Sequence, residues 1–168
     1  YSFIRNDGKV INYEKKDNIL FLNDTKYVYN SFVDLPEEKL FFEKNNVLLK
    51  FPLNVGQEWN TQDQTTLVMK LGYDRIYQTH LPVNIKNKIV ETDVSLKVDR
   101  KVLKDCILIE SEGSTSYNPG PPLESININI KEKLWYSPQY GLVKLIREEN
   151  SNSQTMGNIY YEKKLSTK

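Results

Sequence analysis

At 168 residues the chain is long enough to bury roughly 70% of its unfolded surface without disulfide or metal staples, and its even composition implies one domain over residues 1–168. Its 23 basic and 22 acidic side chains leave a net charge of +1, and no stretch gathers five like charges, which argues against nucleic acid or an anionic membrane as partner. The 39% of hydrophobic residues fall in short runs, none near the ~20 consecutive apolar residues of a membrane-spanning helix.

The chain begins at Tyr1 with no charged-then-apolar leader, which reads as a start inside a longer gene product and leaves room for an export signal upstream. From there apolar spacing returns again and again to two. Strand-like runs cover Lys9 to Tyr13, Ile19 to Leu22, Lys26 to Phe32, Lys39 to Glu43 and Val47 to Phe51, with turn signals at Asn6-Asp7-Gly8, Asn23-Asp24 and Asn45-Asn46. The one helical candidate is Leu35 to Phe42, where Pro36 fits the first helical position behind Asp34 and Glu37-Glu38 complement the dipole.

A turn-forming aromatic segment follows, Phe51-Pro52-Leu53-Asn54-Val55-Gly56-Gln57-Glu58-Trp59. Its proline removes a ladder donor and fixes φ, and Gly56 is expected to take positive φ. Further strands are expected at Thr65 to Asp74, Tyr77 to Leu81, Ile85 to Glu91, Val94 to Val98 and Cys106 to Glu112. Cys106 opens Cys-Ile-Leu-Ile, a run that suggests a strand buried on both faces and an inert thiol. As the only cysteine it forms no internal disulfide.

Gly113 to Pro122 holds three prolines and two glycines and reads as a long loop, either a solvated crossing or a lid. The clearest strand comes next, with Ile126, Ile128 and Ile130 facing one way and Asn127, Asn129 and Lys131 the other. A second aromatic turn, Trp135-Tyr136-Ser137-Pro138-Gln139-Tyr140-Gly141, places Gly141 at another positive-φ bend. Strands at Leu142 to Glu149 and Thr155 to Glu162, joined across Asn150-Ser151-Asn152, complete the pattern. About a dozen short strands spaced at roughly 8–12 residues point to an all-β fold. The expected form is a curved antiparallel sheet, half-barrel or open barrel, with at most one or two short helical turns.

Residues that carry chemistry are sparse. His80 is the only histidine, no Gly-x-Ser-x-Gly elbow presents a serine, and neither His-x-x-x-His nor Cys-x-x-Cys occurs. No catalytic residue, metal ligand or cofactor is therefore assigned. Glu110 and Glu112 share a strand face, the arrangement of a solvated surface as much as of a glycosidase pair. Most of the 11 tyrosines suit half-buried β surfaces. Trp59, Tyr117, Trp135, Tyr136 and Tyr140, at bends and in the long loop, are the candidates for gripping a hydrophobic ligand at the mouth of a barrel or groove.

The order Pro52-Leu53-x-x-Gly56-x-x-Trp59, then Asp105-Cys106-Ile107-x-Ile109, then Tyr136-x-Pro138-x-x-Gly141-Leu142-Val143-Lys144 resembles that of small exported bacterial proteins and lipoproteins of largely unassigned function. The similarity spans residues 47–149, with Lys101 standing where a glycine is expected. It implies the antiparallel half-barrel of periplasmic lipoprotein carriers and an exported location in the bacterial cell envelope, periplasmic or lipid-anchored. The expected function is non-enzymatic binding of a lipid or acyl chain in a concave sheet. The alternative is a structural subunit that docks onto an envelope complex by a face or an edge strand. A large apolar cavity favours the first, and a filled core with an open edge favours the second.

Overall fold

The computed structural model describes residues 2–4, 9–27, 46–70, 73, 76–121, 124–154 and 156–165. These residues are all-β, in two antiparallel sheets with no closed barrel and no helix among them. The expected helical turn at Leu35 to Phe42, the strand at Lys39 to Glu43, most of that at Lys26 to Phe32 and the turn at Asn6-Asp7-Gly8 lie outside the described residues. The chain divides into two compact units, 1–53 and 54–168.

The first unit is a meander of β1 (Ser2–Ile4), β2 (Lys9–Lys16), β3 (Ile19–Tyr27) and β4 (Asn46–Lys50), paired in that order. Asp17, at φ 54°, turns the chain between β2 and β3; its short polar side chain tolerates the left-handed region. The expected turn at Asn23-Asp24 is instead part of β3. Asn12 pairs with Asp24 and Tyr13 with Leu22, so Asn23 is absorbed as a β-bulge. Lys15 lies over the Phe51 ring, 4.7 Å from its centroid.

The second unit is a six-stranded sheet: β5 (Glu58–Lys70), β6 (Ile76–Val98), β7 (Lys101–Tyr117), β8 (Ile126–Ser137), β9 (Gly141–Ser151) and β10 (Asn158–Lys164). Each strand pairs with the next, so β5 and β10 are the two edges. Gly56, at φ 87°, makes the turn into β5, and its N–H donates to the Ile89 carbonyl at 2.8 Å. Gly141, at φ 69°, opens β9 as expected. Gly113 to Tyr117, assigned to a loop from sequence, continue β7, which leaves a shorter crossing to β8.

Three strands expected at Tyr77 to Leu81, Ile85 to Glu91 and Val94 to Val98 are one 23-residue strand, β6. Pro82 does not break it, because the β6–β7 ladder ends at Asn84–Ser114 and leaves that side of Pro82 without a strand to bond. Towards its far end the hairpin carries three register shifts, with Asp93 at φ 60° and Asp105 at φ 57°. Two apolar clusters result. Leu67, Met69, Leu81, Val83, Ile85, Ile126, Ile128 and Ile130 form the first, and Val98, Leu103, Cys106 and Val143 the second. Cys106 and Ile107 are adjacent, so they point to opposite faces, yet both are buried. The strand is covered on both sides there, as the apolar run from Cys106 implied.

Directly opposed residues share a face, so the ladders place Ile85, Gly113 and Ile130 in one row. Gly113 is the gap into which its neighbours pack. A Cβ there meets Ile85 Cδ1 at 2.6 Å and the Asn84 carbonyl at 2.7 Å. Gly113→Ala is therefore expected to lower the denaturant midpoint by about 1–3 kcal/mol of stability, whereas Ser114→Ala on the exposed face leaves it within about 0.5 kcal/mol. The Cys106 thiol, raised in pKa by burial and then by Asp105, should label with a thiol reagent far more slowly than in the unfolded chain.

Candidate functional site

The row after Ile85, Gly113 and Ile130 is polar. Trp59, Asn87, Ser111, Glu132, Arg147 and Tyr161 are opposed in turn across all six strands and lie on the same face. The Asn87 amide joins three strands: its Nδ2 donates to Thr61 Oγ1 at 3.0 Å, and its Oδ1 accepts from Ser111 Oγ at 2.7 Å.

Arg147 connects strands that the ladder keeps apart. In a flat sheet β5 and β9, separated by three strands, stand roughly 19 Å from each other. Yet Thr65 Oγ1 on β5 donates to Glu149 Oε2 on β9 at 2.5 Å, and the Arg147 guanidinium bonds Asp63 on β5. Its Nη2 also donates to the Gln64 carbonyl at 3.1 Å. The sheet is therefore rolled until one edge lies across β9, and side chains rather than backbone bonds hold it there. Nη1 reaches Glu132 Oε1 at 2.9 Å and Nε reaches Glu149 Oε1 at 2.7 Å, so one guanidinium serves three carboxylates and a carbonyl.

The electrostatics follow from burial. Desolvation opposes the charge of Arg147, which is only 12% exposed, but Asp63, Glu132 and Glu149 outweigh it and hold its pKa above the ordinary value. Glu132 is raised, first by burial and then by Asp63 and Glu149, against the lowering effect of Arg147. A guanidinium so fully engaged is suited to closing the sheet. Among the described residues no group of three or more His, Cys, Asp or Glu side chains could hold a metal ion.

The five aromatics proposed from sequence do not converge. Trp59 is half-buried at the β5 end of the polar row, and its indole Nε1 is buried without a hydrogen-bond partner among the described residues. Tyr117 packs against the first cluster, as Met156 does, with its ring 6.3 Å from that of Tyr77. Trp135 lies nine ladder positions away from Tyr117, roughly 30 Å along the strand, where it packs on the second cluster under Lys144. Tyr136 is buried on the face opposite Trp135, and Tyr140 is exposed in the following turn. His80 is held by Thr66, with 3.0 Å between Nδ1 and Oγ1, and Glu110 pairs with Lys133 at 3.0 Å.

Asp63, Glu132 and Arg147 were not singled out from sequence, and Glu149 stood out only in the adjacent acidic pair Glu148-Glu149, which reads as solvated surface. The signal available was two charged residues, Arg147 and Glu149, at alternate positions from Leu145, where a strand with one buried face calls for apolar side chains. No family model, curated protein or solved structure matches the chain.

Two substitutions test the closure. Arg147→Met leaves three carboxylates without their counter-charge and should cost about 3–5 kcal/mol in denaturant unfolding. Because Glu132 has a higher pKa folded than unfolded, its contribution is fully present below the unfolded pKa and is lost as pH rises through the folded one. Glu132→Gln should therefore remove that loss, so the mutant gains on the wild type as pH rises from mildly acidic to neutral.

Proposed function

We propose that this protein is a non-catalytic structural module of a bacterial cell envelope that docks an extended segment of a partner protein along the open edge of β10. The observation that carries this reading is β10 itself. Among the described residues it pairs with β9 alone, and its Ile159, Tyr160 and Tyr161 are 42%, 62% and 37% exposed. An edge strand that exposes apolar side chains is a template for strand addition. The other edge of the sheet is occupied differently, since β5 is drawn across β9 and the Gln64 carbonyl is bonded by Arg147.

The interior favours docking over ligand uptake. Leu67, Ile85, Ile89, Ile109, Ile128 and Ile130 are at most 1% exposed, so the rolled face is filled by its own side chains. The envelope location rests on the resemblance of the two aromatic turns to exported bacterial proteins. A second reading, binding of a lipid or acyl chain, is favoured by the Tyr77–Tyr117 pair, whose Tyr117 packs against the first cluster.

Photo-crosslinking in the source cell separates the two. A benzophenone side chain at position 161 should give a discrete protein adduct that Ile159→Lys abolishes, while one at position 117 should give none. Lipid adducts at position 117 with none at 161 contradict docking and favour the ligand reading.

A further inference from the structure

The ladders align a second row, on the opposite face from Arg147, that no local stretch of sequence reveals. Gln62, Asn84, Ser114, Asn129, Asn150 and Asn158 are directly opposed across all six strands, and every one is exposed. With strands ~4.8 Å apart, the row is a ribbon of neutral amides and a hydroxyl roughly 24 Å long. On one side its neighbours along the strands differ sharply, while on the other the opposed pairs Gln64–Pro82 and Ser116–Asn127 are uncharged as well. On the charged side the next row reads Asn60, Lys86, Glu112, Lys131, Glu148, Tyr160, with charges alternating in sign, and the row beyond holds Glu58, Lys88 and the Glu110–Lys133 pair, with Glu58 bonded back to Lys86. Cross-strand charge pairing accounts for those rows as sheet stabilisation. It does not account for the uncharged one.

We propose that this row, with Tyr160, binds an uncharged carbohydrate chain running across the strands. A primary amide offers two donors and an acceptor in one plane, and Asn84, Asn129, Asn150 and Asn158 repeat that offer across the sheet. Sugar hydroxyls both donate and accept, so they can use each amide fully. Tyr160 is 62% exposed on the same face, two residues from Asn158, and presents a ring for the apolar face of a sugar. The chemistry disfavours other occupants. Nucleic acid and acidic glycans require cations in the row, and an acyl chain requires apolar side chains. A docked protein strand uses the β10 edge, so the two sites share Asn158 and Tyr160, while Asn84, Asn129 and Asn150 belong to this one alone.

The test is titration of the whole protein with two uncharged probes, chitotetraose and cellotetraose, followed by the side-chain amide signals of its asparagines in 15N-correlated spectra. At least one probe at millimolar concentration should shift the Asn129, Asn150 and Asn158 signals saturably. Asn129→Lys and Tyr160→Ala should each weaken that binding tenfold or more with an unchanged thermal midpoint, while Lys86→Gln in the charged row leaves it intact. Absence of a saturable shift with either probe, or binding that survives both Asn129→Lys and Tyr160→Ala, overturns the proposal.

Discussion

The Arg147 guanidinium is the constraint on which the second unit depends. Backbone bonds make a sheet of six strands but specify nothing about how far it rolls, and both edges remain free of the ladder. Rolling buries the face that carries Leu67, Ile85 and Ile130, each worth about 1.5–3 kcal/mol on full burial. It also carries Asp63, Glu132 and Glu149 out of water, and without a counter-charge their desolvation opposes the roll. Arg147 resolves that conflict because its planar fork bonds several acceptors at once, which a lysine ammonium cannot do in the same geometry.

The far end of the β6–β7 hairpin solves a different problem. A strand of 23 residues with strict alternation keeps one face buried along its whole length. The register shifts near Asp93 and Asp105 break that alternation and bring Val98, Leu103 and Cys106 into a cluster of their own. Trp135 and Leu165 pack onto it, and the Leu165 N–H donates to the Val143 carbonyl at 2.9 Å, which ties down the end of the chain after β10. The aromatic turn at Trp135 therefore reads as packing for this cluster.

Much of this was legible because local physics decided it. Ile126, Ile128 and Ile130 alternate with polar residues, and the structure buries all three. Gly56 and Gly141 lie at positive φ where the aromatic turns required it. What sequence missed depended on contacts between distant strands. Glu58 to Gln64 was not expected as a strand; its inward positions are Trp59 in the polar row, Thr61 bonded by Asn87 and Asp63 in the Arg147 closure. Asp63 and Arg147 are 84 residues apart, so no window of sequence contains both. The strand expected at Tyr77 to Leu81 ended before Pro82, and only the missing ladder on one side explains why β6 runs through that proline. The amide row likewise emerges only when six strands are set in register.

The two faces of the sheet divide its roles. The rolled face is spent on closure and core, and the two proposed recognition sites are the β10 edge and the outer amide row. The central claim is that side chains, not a backbone ladder, close the sheet. A double-mutant cycle on Asp63→Asn and Arg147→Met, read by denaturant unfolding, tests it most directly. Closure through this pair predicts a coupling energy of about 1–3 kcal/mol, and additivity within about 0.3–0.5 kcal/mol would contradict it.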